Sequence, residues 1–222
     1  MLADARLIAG KDLRIELRSK VGLGQMVPFA VLVLVLFGLA LDPDRGVLTQ
    51  ATPGLYWIAV LFSGLLAVQR AFAVESAPGV TEALRLSGID PAGYFLGKFA
   101  AVAVQLVVLQ LVLVLGVVVL YGAELHGPLL LVATALAATV AIAAAGTLYG
   151  VLAAGLRVRD TLVPLLLLPA LAPVLLGATR ASEAALDGGI GDGWGWCGLL
   201  AAFGVLYVGF GLLFFGTLLE ET

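Results

Sequence analysis

The chain has 222 residues, 62% of them hydrophobic and only 12% charged, with a mean hydropathy of +1.12; a soluble domain carries about a quarter charged residues, so lipid is the expected solvent. A net charge of -3 with scattered basic residues excludes a nucleic-acid footprint and an acidic tail. The single cysteine, Cys197, excludes an intrachain disulfide, a Cys-x-x-Cys-His haem attachment and zinc-type cysteine spacing.

In residues 2–20, Leu2, Ile8, Leu13, Ile15 and Leu17 interleave with Arg6, Lys11, Arg14, Glu16 and Arg18. This pattern suits an amphipathic helix lying in the membrane interface with its basic side chains snorkelling, or a simple basic topogenic anchor. It lacks the short basic start and apolar run of a cleavable leader, so the N-terminus is expected to be retained.

A membrane-crossing helix needs ~20 mostly apolar residues, and an ionised group at the bilayer centre costs several kcal/mol. Uncharged stretches between the charges therefore predict six spans, at about 21–41, 51–69, 99–123, 128–154, 161–179 and 194–219. The expected fold class is all-α: a polytopic membrane protein with a single six-span transmembrane domain, preceded by the interfacial helix. Arg6, Lys11, Arg14, Arg18, Lys20, Arg70, Arg85, Lys98, Arg157 and Arg159 then share one side, and only Arg45 and Arg180 lie opposite. The positive-inside rule places both termini and the 70–98 loop in the cytoplasm.

Within that loop, Pro78, Gly79, Gly88 and Pro91 bracket one short helix, in which Leu84 and Leu86 stand among Glu82 and Arg85. The composition suits docking of another protein; a solvated connector is the alternative. Alanines between Ala133 and Ala145, followed by Gly146, predict close backbone approach in the fourth span, as an interhelical or dimer seam. Pro164, Pro169 and Pro173 argue against one straight helix in the fifth; a moving gate and an ordinary proline-bearing membrane helix both fit. Residues 181–192, with Glu183, Asp187 and Asp192, read as an acidic outward loop.

No Gly-x-x-x-x-Gly-Lys-Ser/Thr run is present, so ATP-driven work needs a partner subunit and the chain is not expected to be an enzyme. The drawn spans hold no ionisable group besides Cys197 and tyrosines, which weighs against a proton-coupled carrier or an intramembrane hydrolase. His126 falls at the outer mouth between spans three and four, as a solvated residue or a weak candidate haem ligand. Trp194, Trp196 and Tyr207 read as interfacial anchors or packing residues, with a porphyrin-stacking platform as the minor alternative. No metal site is expected.

Two motifs carry a resemblance. The run Lys11-Asp12-Leu13-Arg14-Ile15-Glu16-Leu17-Arg18-Ser19-Lys20, and Pro53-Gly54-Leu55-Tyr56-Trp57-Ile58-Ala59 at the start of span two, are similar to motifs of haem exporter protein B, the permease subunit of bacterial cytochrome c maturation systems. The similarity runs nearly the full chain. Arg70, Phe72, Glu75, Gly79, Glu82, Leu84 and Lys98 resemble the segment by which such permeases couple to an ATPase, a coupling loop that also holds Arg85. Gln69, Thr81 and Gly88 depart from that pattern, where the family usually carries an acidic residue, a leucine and a proline.

The resemblance implies a multi-pass protein of the bacterial inner membrane, of the ABC export-permease type, handling haem for cytochrome c biogenesis. It also implies two ATPase subunits, a second copy of the permease, a haem-handling C subunit and a small single-span D subunit. ATP would act through the ATPase partner, and haem would be cargo rather than a resident cofactor. An efflux permease for drug, lipid or polysaccharide is the alternative within the same superfamily.

Overall fold

The computed structural model describes residues 1–19, 21–41, 45–73, 88–123, 125–154 and 159–220. Among them lie seven helices and no strand: α1 Leu2–Ser19, α2 Val21–Ala40, α3 Arg45–Ala73, α4 Pro91–Tyr121, α5 Pro128–Ala154, α6 Arg159–Leu186 and α7 Ile190–Glu220. The last five are long and apolar enough to cross a membrane, and a shorter apolar helix, Gly24–Ala40, lies within α2. The chain is thus the multi-pass α-helical protein that its composition requires.

Apolar side chains gain little from leaving lipid, so membrane helices associate through close packing and hydrogen bonds. Here α5 is the central element, touching α3, α4, α6 and α7. Its residues Ala141 to Leu148 are all buried within the one chain. The later half of the alanine run, Ala141 to Gly146, is therefore an interhelical seam within the chain, while Ala133, Ala135 and Ala137 are only half-buried. At Gly146 and Gly150 a Cβ would collide with Val68 and Phe72 of α3, so the two helices meet at a distance only glycine permits.

Several helices outrun the apolar stretches from which they were predicted. Asp90 caps α4, its carboxylate accepting from Gly93 N–H at 3.0 Å, and Pro91 takes the first turn, where its missing N–H costs nothing. Residues 91–98 are thus the first turns of a helix, not part of the 70–98 loop. Gly88 has φ 67°, a left-handed conformation closed to proline.

At the other face α6 continues to Leu186, so Glu183 is helical and pairs with Arg180 at 2.9 Å. The acidic loop shrinks to residues 187–189, because charges end an apolar span without ending a helix. Helix α6 also runs unbroken through Pro164, Pro169 and Pro173. The Tyr207 hydroxyl of α7 donates to the Ala170 carbonyl at 2.8 Å, one residue after the Pro169 carbonyl that Pro173 leaves without its helical donor. Tyr207 is accordingly a packing residue rather than an interfacial anchor.

Candidate functional site

On the N-terminal face, Gly93 and Gly97 let α1 lie directly on α4. A Cβ at Gly97 would stand 2.6 Å from Ile8 Cβ and 2.8 Å from the Ala5 carbonyl oxygen. The spacing Gly93-x-x-x-Gly97 is the small-x-x-x-small signature of helix contact. Ala5, Ile8 and Asp12 follow one another at three- and four-residue steps, which puts them on the face of α1 that meets this groove.

That contact carries Asp12 to Lys98, whose side chain is 0% exposed. The ammonium lies 2.9 Å from an Asp12 carboxylate oxygen and donates to the Ala71 carbonyl at 2.6 Å. It also sits over the rings of Phe72 and Tyr94, 5.3 and 5.9 Å from their centroids. Lys11 approaches Asp12 as well, at 3.2 Å. A buried ammonium is tolerated because a carboxylate, a carbonyl and two aromatic faces replace its water. Lys98 thus joins α1, the end of α3 and the start of α4.

Charge served as a boundary marker in the sequence, which put Lys98 outside the third span. It fails here because the counter-charge arrives from a distant helix. The glycine pair just before Lys98 was the legible signal of that approach.

Of the residues expected to couple to an ATPase, Arg70 lies half-buried in the last turn of α3, one residue before the carbonyl that Lys98 holds. Its Nη1 is buried without a hydrogen-bond partner among the described residues. Glu75, Gly79, Glu82, Leu84 and Arg85 lie outside the described residues, as does the short helix expected at Thr81–Leu86. In α1, Arg14 and Arg18 are exposed and Glu16 is half-buried, while Leu2, Leu7 and Leu17 are exposed too.

At the opposite face α3, α4, α5 and α6 surround a cavity of about 370 Å³. Gly127 N–H donates to the Ala185 carbonyl at 2.9 Å, tying the start of α5 to the end of α6 beside it. Pro53, Trp57, Gln110, Thr139 and Ser182 are buried lining residues. Trp57 Nε1 donates to Ser182 Oγ at 2.9 Å, and Gln110 Nε2 to Thr139 Oγ1 at 2.7 Å. Tyr56 OH reaches Gln110 Oε1 at a long 3.4 Å, and Thr139 Oγ1 donates to the Ala135 carbonyl at 2.7 Å. Sequence reading missed Gln110, Thr139 and Ser182, uncharged residues that a span tolerates.

His126, Trp194 and Trp196 do not line this cavity. His126 is exposed between α4 and α5, and both tryptophans are exposed in the first turns of α7. No group of three metal-ligating side chains occurs among the described residues.

The family model described as CcmB protein matches residues 4–216. The chain belongs to the CcmB family. Among curated relatives, heme exporter protein B of Haemophilus influenzae is 32% identical over 206 residues, covering 91% of this chain and 89% of that protein. Its namesake from Paracoccus denitrificans is 30% identical over 178 residues, covering 77% and 78%. That from Pseudomonas aeruginosa is 28% identical over 182 residues, covering 82% of each. In this CcmB-family chain the Pro53-Gly54-x-x-Trp57 element places both Pro53 and Trp57 on the cavity wall. The 11–20 motif supplies Asp12, the partner of Lys98.

Proposed function

We propose that this CcmB-family chain is the transmembrane permease subunit of an ABC complex that serves haem export for cytochrome c maturation. The observation that carries the reading is the family match across residues 4–216. That match favours haem export over efflux of drug, lipid or polysaccharide. The sequence holds no phosphate cradle, so ATP hydrolysis belongs to a partner subunit.

The N-terminal face is the cytoplasmic side of a bacterial inner membrane in this reading, supported by the ten basic residues gathered there. Arg70, Glu75, Gly79, Glu82, Leu84 and Arg85 dock the ATPase, present in two copies against two copies of this chain. A haem-handling C subunit and a single-span D subunit complete the complex. The segment between α3 and α4 connects two helices that Lys98 ties to each other and to α1. A push delivered there reaches three helices together. The output is haem delivery or release of a haem-loaded chaperone.

Deleting the gene in its own host abolishes haem-stained c-type cytochromes, and the wild-type gene restores them. Normal c-type cytochromes in a clean deletion refute the reading.

A further inference from the structure

The cavity between α3, α4, α5 and α6 has a mouth and a floor of different character. Leu111 and Val114 of α4, with Val132 and Leu136 of α5, line it and are also exposed, at 63%, 38%, 56% and 53%. These four side chains are exposed on the outside of the helix bundle, so the mouth opens sideways between α4 and α5, toward the bilayer in a chain that spans it. The floor is formed by Pro53, Trp57, Val117 and the hydrogen-bonded pairs Gln110–Thr139 and Trp57–Ser182.

We propose that this cavity holds one hydrocarbon chain of a lipid from the membrane leaflet opposite the N-terminal face. Three observations select that occupant. The described lining residues carry no charge, so none of them balances a carboxylate or phosphate, and a buried unpaired charge is costly. The polar floor groups already bond to one another, so they do not require a polar guest. The volume lies within the ~300–1,000 Å³ of ordinary ligand pockets, and an apolar space of that size open to lipid loses dispersion contacts unless filled.

Haem fits the same lining poorly, since its two propionates would enter without cations. Among the described lining residues Tyr56 is the one side chain able to bind iron, and its hydroxyl is directed to Gln110. The assignment rests on the membrane-embedded fold alone and stands apart from the permease reading, whose test is cytochrome formation.

The experiment uses the full chain, in its complex, reconstituted in nanodiscs containing phosphatidylethanolamine with a diazirine near the end of one acyl chain. After illumination, labelled peptides are mapped by mass spectrometry. Labelling at Leu111, Val114 and Ala135 should exceed that at Leu199, an exposed residue in the same half of α7, by about fivefold or more, equivalent to ~1 kcal/mol of preference. Val132→Trp at the mouth and Ala135→Trp inside should each reduce cavity labelling to the Leu199 level while leaving Leu199 unchanged. The mouth variant alters an exposed position, so it decides the outcome if the inner one misfolds. Equal labelling at the cavity and Leu199 in the wild type means ordinary boundary lipid and overturns the proposal. Displacement of the label by added haemin also overturns it, in favour of a porphyrin site.

Discussion

The Lys98 ammonium and the Asp12 carboxylate meet at 2.9 Å, the former fully buried and the latter 10% exposed. This contact fixes the N-terminal helix α1 to the first turns of α4. The same ammonium holds the Ala71 carbonyl, so the two ends of the 74–90 connection are bound to each other.

Removing one partner of a buried ion pair leaves the other charge without compensation, at about 3–5 kcal/mol. Lys98→Met and Asp12→Asn should each lower stability by roughly that amount, measured by denaturant unfolding in detergent. The double variant Lys98→Met with Asp12→Leu should regain most of the loss, because it removes both charges together. Additive losses in the double variant would show that the two residues do not act as a pair.

Gly97→Val should release α1 while leaving α2 to α7 folded. Its branched side chain cannot fit 2.6 Å from Ile8 Cβ, and such overpacking costs typically about 1–3 kcal/mol. Hydrogen exchange across residues 2–19 should rise sharply relative to α5. Unchanged protection there would place the anchoring of α1 elsewhere.

The Gln110–Thr139 bond joins α4 to α5 inside the bundle. A double-mutant cycle with Gln110→Leu and Thr139→Val should give a coupling of about 0.6 kcal/mol and at most about 1.7, the range found between membrane helices. A coupling indistinguishable from zero would mean that the bond is not made in the bilayer.

Trp57 both packs and donates, which two substitutions separate. Trp57→Phe keeps the ring contact and loses the bond to Ser182, at about 1 kcal/mol. Trp57→Ala empties a buried site that is only 2% exposed, at about 3–5 kcal/mol. Equal losses for the two, measured by thermal unfolding, would assign the whole effect to the hydrogen bond.

Charge reversal tests the proposed docking of an ATPase on residues 70–85. Glu75→Lys and Glu82→Lys together should weaken association with the ATPase by about tenfold or more, or ~1.4 kcal/mol, read by co-purification and by ATP hydrolysis in the assembled complex. If both survive the reversals unchanged, these residues do not dock the ATPase.

The sequence by itself determined the solvent and the class of fold. Apolar stretches of spanning length have few stable alternatives to helices in lipid, since each backbone group must be satisfied within its own segment. Its two motifs also carried the family, because local residue identity is all that such a resemblance needs. The lateral cavity and the Lys98 site could not be read the same way. Both depend on which faces of distant helices meet, and apolar periodicity is silent on that when every face of a helix can be apolar.

Tertiary structure decided where the charges sit. Charge marks the edge of a span only while water is the cheapest partner for it. Once Gly93 and Gly97 admit α1, Asp12 and the Ala71 carbonyl replace that water, and Lys98 lies within the helix that it was expected to precede.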